Sequence, residues 1–72
     1  MTQVKDKVQI NSSVIEAIKY AGTTLFVYFK QGQVYAYSCV PQAIFDAFKE
    51  AHSKGRYFRD NIVGRYLYTR AV

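Results

Sequence analysis

The tripeptide Lys30-Gln31-Gly32 constrains this chain more than any other stretch. It separates two runs rich in β-branched and aromatic residues, Thr24 to Phe29 and Gln33 to Ser38, the composition of strands. A two-residue loop at Gln31-Gly32 would demand positive φ at Gln31, which a long side chain resists. A three-residue loop demands it only at Gly32, where no Cβ opposes it. The second choice sets the register, and a slip of one residue would swap every side chain between faces. Phe29 then opposes Gln33, Val27 opposes Tyr35 and Leu25 opposes Tyr37, so these five apolar residues share one face. Phe26, Tyr28, Val34 and Ala36 occupy the other. The rejected register would instead gather Phe26, Tyr28, Tyr35 and Tyr37 into an aromatic platform.

The remaining elements are read outward from this hairpin. Val14 to Tyr20 is expected to be a strand, with Val14, Ile18 and Tyr20 on one face, Ile15, Ala17 and Lys19 on the other, and Glu16 interrupting the first; a helix over the same residues is the rival, and Ala21-Gly22-Thr23 is the break before the next strand. Pro41 suits the first position of a helix, where its missing N–H is no loss. Gln42 to His52 carries Ile44, Ala47, Phe48 and Ala51 at helical spacing, widened by Phe45, and a wet face of Gln42, Asp46, Lys49 and Glu50. Ser53-Lys54-Gly55 breaks that helix. Arg56 to Val63 is expected to be a second short helix, with Tyr57 or Phe58 and Ile62 inward and Gly64 at its end. Tyr66 to Arg70 alternates as a last strand.

These elements make an α+β domain: a small antiparallel sheet, built as a three-stranded meander plus a short final strand, with two helices packed on one face. Residues 12–72 form this single domain, and residues 1–11 are expected to be a flexible tail in which Val8 and Ile10 alternate as an extension of the sheet would. A chain of 72 residues buries only about 60% of its unfolded surface. Half the residues are apolar, with seven tyrosines and five phenylalanines, which suffices for a core without metal or disulfide. The one cysteine, Cys39, excludes an internal disulfide and fits a reducing compartment. No secretory or membrane-spanning apolar run occurs, so the cytoplasm is the expected site.

Catalytic chemistry is poorly provided for. Cys39 and His52, each the sole residue of its kind, flank the first helix and so are too far apart to act as a nucleophile and base. Cys39 is expected to be a small packing residue and His52 a residue of the helix C-terminus. Asp46 and Glu50 lie four apart on the wet helix face, not in an apolar cleft. No metal-ligand spacing and no glycine-rich phosphate loop is present. A non-enzyme without cofactors is therefore expected.

Binding chemistry is better supplied. The net charge is +5, and between Lys54 and Arg70 five basic residues face the single acid Asp60. Basic and aromatic residues interleave there as Arg56-Tyr57-Phe58-Arg59 and Arg65-Tyr66-Leu67-Tyr68-Thr69-Arg70. Single-stranded nucleic acid is held by aromatic faces that stack bases beside cations that follow the phosphates. The candidate site is Lys54, Arg56, Tyr57, Arg59, Arg65, Tyr66, Tyr68 and Arg70, with the arginines on phosphates and the tyrosines as stacking faces. Tyr35 and Tyr37 are expected to be structural. Tyr and Arg are also common protein-interface anchors. The alternative is thus a small regulator docking, as a monomer, on an acidic face of a machine such as RNA polymerase or a synthetase. Residue types alone do not separate the two.

From Ser12 to Arg70 the chain resembles the KTSC domain, a short module named for its place at the C-terminus of some lysyl-tRNA synthetases and found alone in bacterial and phage proteins. The matching residues are Ser13, Ile18 and Tyr20, then Leu25, Val27, Phe29 and Gly32, then the family's central Tyr-x-Tyr at Tyr35-Ala36-Tyr37, and Val40-Pro41. Ala51, Ser53, Gly55, Tyr57-Phe58, Ile62, Arg65, Tyr66 and Tyr68 complete the match. Arg59 and Val63 depart from a pattern that favours an Asn-like residue at the first position and a basic one at the second. The resemblance implies the α+β fold, and RNA binding in the translation or transcription apparatus as its expected activity.

Overall fold

The computed structural model of the chain describes Lys7–Gln9 and residues 13–72. Five strands form one antiparallel sheet in sequence order: β1 (Lys7–Gln9), β2 (Ile15–Ala21), β3 (Thr24–Phe29), β4 (Val34–Tyr37) and β5 (Tyr68–Arg70). Two helices, α1 (Gln42–Glu50) and α2 (Lys54–Asn61), intervene between β4 and β5. The α+β class, the meander and the short last strand are as the sequence predicts. Of the expected tail, Lys7–Gln9 pairs with Ala17 to Lys19 of β2; the rest of residues 1–11 lies outside the described residues.

The β3–β4 hairpin closes through the three-residue loop. Phe29 N–H donates to Gln33 O at 2.9 Å, Gly32 N–H donates to Phe29 O at 2.9 Å, and Gly32 takes φ +107°. Leu25 faces Tyr37 and Val27 faces Tyr35 across the ladder. Leu25, Val27 and Tyr37 are buried against Phe45 and Phe48 of α1 and against Ile62, while Phe29 and Tyr35 pack at the margin. Tyr20 stacks on Phe45 with centroids 4.9 Å apart, and Phe58 of α2 meets Phe29 and Tyr37 edge-on. Both helices thus lie on one sheet face. Burying each large side chain contributes about 1.5–3 kcal/mol, so this one layer of contacts carries the fold. The opposite face holds half-buried Phe26, Tyr28, Val34 and Ala36, with Lys19 Nζ 5.4 Å above the Phe26 ring.

Five expectations need correction. Simple alternation assigns Val14 and Ile18 to one face, but Val14 is 55% exposed and Ile15 is buried beside Ile18. The cause is a β-bulge: Ile15 opposes Phe29 and Ala17 opposes Tyr28, so Glu16 is an extra residue and the phase shifts by one. In α1 Phe45 and Phe48 are buried and Ile44 packs beside them as expected, whereas Ala47 is exposed. Pro41 precedes the helix as its N-cap (φ −64°, ψ 151°), and its carbonyl accepts from Ile44 N–H. His52 lies beyond the helix, after the Ala51 C-cap, and Cys39 is exposed with φ +58° instead of packing inward. None of the described helices is long and apolar enough to cross a membrane.

Candidate nucleic-acid interface

The polar corner between α1 and α2 positions the first candidate residues. Ser53 caps α2, its Oγ accepting from Arg56 N–H at 3.3 Å. Lys54, half-buried, directs its ammonium to Ala51 O and so ties the corner together. The carbonyl holds the ammonium at the C-terminus of α1. Tyr57 stacks on Phe48 at 5.4 Å and donates its hydroxyl to Ile44 O at 3.2 Å, joining α2 to α1. Burial first, and then the neighbouring Tyr66, push its phenol pKa up, so it remains a neutral donor. Arg56 is exposed on the outer side of α2.

Asp60 organises the next pair. Arg59 Nε lies 3.3 Å from its carboxylate, and Arg65 Nε donates to its backbone carbonyl at 3.1 Å. Arg59 is therefore partly neutralised, whereas Arg65 keeps its full charge, since a carbonyl only orients the guanidinium. The Gly64 backbone, with φ +80°, lets the chain turn out of α2 and back to the sheet edge. There Tyr66 is half-buried against the core, Leu67 is 85% exposed and Tyr68 is 54% exposed. Arg70 is exposed, opposite Tyr35 in the ladder, with Nε donating to Val72 O at 3.1 Å.

Five of these residues, Arg56, Tyr57, Arg65, Tyr66 and Tyr68, line two separate grooves; Lys54, Arg59 and Arg70 line neither. One, of about 400 Å³, contains Arg56 and Tyr57 together with Asp60 and Asn61. The other, of about 330 Å³, contains Arg65, Tyr66, Leu67 and Tyr68 against Tyr37. Only the first has a carboxylate in its lining, which opposes an anionic ligand. Tyr37 is buried, and its pKa is pushed up to about 12 by that burial and then by Tyr68 and Tyr35. Its phenol is neutral at physiological pH.

Tyr68 is the one candidate tyrosine with a largely open ring. It stacks on Tyr35 at 5.1 Å and leans on Tyr37 at 5.2 Å. Tyr35 in turn lines a third groove, of about 350 Å³, with Phe29, Lys30, Gln31 and Gln33 of the hairpin. Sequence reasoning missed Lys30 and both glutamines as site residues. The exposed hairpin tip carried a signal for them, since polar side chains on a fixed turn are free to bind. Their meeting with Ser13 and Val14 depends on the tertiary fold. Cys39 and His52 stand at opposite ends of α1, whose nine residues extend about 13 Å. Among the described residues, no three of His, Cys, Asp or Glu are placed to hold a metal.

No curated protein matches the sequence. A crystal structure of a KTSC domain protein from Yersinia pestis is similar, at 33% identity over 92% of this chain and 96% of that one, with a TM-score of 0.85. The family model for the KTSC domain matches residues 11–66, ending just short of β5. Hairpin, helices and the Tyr35-Ala36-Tyr37 strand all fall inside that match, and the fold is shared nearly end to end, so the chain belongs to the KTSC domain family.

Proposed function

We propose that the protein is a non-catalytic module that binds single-stranded RNA, acting as a monomer in the cytoplasm within the translation or transcription apparatus. The observation that carries this reading is the Tyr35–Tyr68 stack, which stands between two grooves whose linings contain no carboxylate. Lys30 lies in one groove, Arg65 in the other, and exposed Arg70 is opposite Tyr35. A stacked ring pair with cations on both sides suits a strand that lays a base on Tyr68 and runs its phosphates outward. Arg56 and Arg59 add positive potential that draws an anionic strand in without touching its bases. Titration with single-stranded RNA over a salt series tests this. Affinity should fall with salt at a log–log slope of about −0.7 for each phosphate neutralised. Absent binding at low salt, or binding indifferent to salt, rules the reading out.

A second reading has its own observation. Leu67 is 85% exposed beside Tyr68, with Val63 also open on the same groove. An apolar anchor flanked by Arg and Tyr suits a protein partner, as in a small phage-type regulator occupying an acidic face of RNA polymerase. A stoichiometric partner retained from nuclease-treated bacterial lysate, and lost by Leu67→Lys, would favour it over RNA.

A further inference from the structure

The groove at the hairpin tip differs in chemistry from the arginine-lined surface. It lies outside the C-terminal third, where the basic residues cluster. Lys30 N–H donates to Val14 O at 2.9 Å, which pins the start of β2 against the loop. With the two backbone bonds that close the turn, this holds the groove's walls in place before any ligand arrives. Its lining combines one cation, Lys30, with two carboxamides, Gln31 and Gln33, and two rings, Phe29 and Tyr35. Tyr68 stacks on the Tyr35 ring from outside this groove and Phe29 meets that ring edge-on at 5.4 Å, so the ring that lines the groove is held on two sides. Among the described residues, neither the Gln31 nor the Gln33 carboxamide has a hydrogen-bond partner.

We infer that this groove is a nucleobase-reading subsite for one unpaired nucleotide of the bound RNA. The inference rests on the RNA-binding reading above and adds selectivity to it. The volume of about 350 Å³ is at the lower end of small-ligand pockets and takes a single nucleotide. A carboxamide offers two donors and an acceptor side by side, the complement of a base edge. Arginine and lysine on phosphates position a strand but carry no sequence information. Gln31 and Gln33 therefore read the base, Tyr35 supports its ring, and Lys30 holds the adjoining phosphate. Arg65 and Arg70 grip the strand regardless of sequence.

The experiment compares wild type with the double variant Gln31→Ala, Gln33→Ala, using short homopolymers of uridine, adenosine and cytidine at one low salt concentration. Wild type should prefer one homopolymer by about tenfold or more, the size of one base-edge contact. The double variant should bind all three within about twofold, at the affinity wild type shows for its weakest, because the phosphate contacts are untouched. Equal binding of all three by wild type, or a preference that survives in the double variant, overturns the subsite while leaving RNA binding intact. If no homopolymer binds, the RNA reading fails by itself. A titration with the free ribonucleoside monophosphates, followed by the amide resonances of Lys30 to Gln33, then decides the groove. Base-dependent shifts confined to those amides, and abolished by the double variant, sustain it as a nucleotide site; their absence overturns it.

Discussion

Tyr68 lies nearly parallel to Tyr35, its ring centroid 5.1 Å away and its plane tilted by 17°. The same ring leans on Tyr37 at 5.2 Å. Tyr37 is its direct partner in the ladder and Tyr35 its diagonal one, so one side chain joins β5 to both core-facing positions of β4. All three residues of β5 are exposed, and the pairing covers only three positions. The last strand is therefore held by a few backbone bonds and by this ring, and the residue offered to a ligand is also the one that anchors the strand.

Replacing Tyr68 by alanine removes two aromatic contacts worth about 0.5–1.5 kcal/mol each, so a loss of about 1–3 kcal/mol is expected in urea unfolding. Tyr68→Phe keeps the ring and should stay within about 0.5 kcal/mol of wild type. RNA affinity should follow the ring in the same way, lost in the alanine variant and kept in the phenylalanine variant. An alanine variant as stable as wild type would mean that the stack does not hold β5.

The bulge at Glu16 gives a second test, because it reverses the roles of two neighbours. Ile15→Ala should cost about 2–5 kcal/mol, as for a fully buried aliphatic side chain. Val14→Ala, only one position away, should change stability by no more than about 0.5 kcal/mol. A larger loss at Val14 than at Ile15 would mean that the strand keeps strict alternation and the bulge is absent.

That strand also marks the limit of what the sequence discloses. The β3–β4 register follows from Gly32, because the need for positive φ is a local property of one residue. A bulge carries no comparable local mark, since Glu16 is extra only in relation to Phe29 and Tyr28 across the ladder. The site divides along the same line. That Arg56, Arg65, Arg70 and Tyr68 reach solvent could be anticipated from charge and strand position. That Lys54 is occupied by Ala51 O and that Tyr57 is stacked on Phe48 depends on how α1 meets α2. The groove between Gln31 and Tyr35 was likewise out of reach, because Ser13 and Val14, distant in sequence, complete its lining.

Cys39 carries a strain that can be relieved. It is exposed and holds φ +58°, in the left-handed region that disfavours any residue with a Cβ. Glycine would relieve about 1–2 kcal/mol of that strain. Its greater freedom in the unfolded chain returns about 0.5–1 kcal/mol. Cys39→Gly should thus be as stable as wild type or up to about 1.5 kcal/mol more so, while Cys39→Val, branched at Cβ, should be clearly less stable. A valine variant equal to wild type would contradict the positive φ. The thiol should also react with a water-soluble reagent in the folded protein as fast as in the unfolded chain.

Alkali supplies the last test, with its sign fixed by Tyr37. Its phenol is raised from an ordinary value of 10.0 to about 12, chiefly by burial and then by the neighbouring Tyr68 and Tyr35. The folded protein therefore keeps this proton over a range in which the unfolded chain has released it. Between those two values the native state binds more protons, so stability falls as pH rises. The contribution is complete below about pH 10 and is lost as pH passes through about 12. Lysine deprotonation overlaps this window, so the informative quantity is the difference between wild type and Tyr37→Phe, which keeps the ring and removes the titrating group. The urea midpoint of wild type should fall faster with pH than that of the variant, and the phenolate absorbance of the folded wild type should include one late-titrating tyrosine that the variant lacks. If Tyr37 ionises together with the exposed tyrosines, its ring is not enclosed by α2 and β5, and the packing that presents Tyr68 to solvent is wrong.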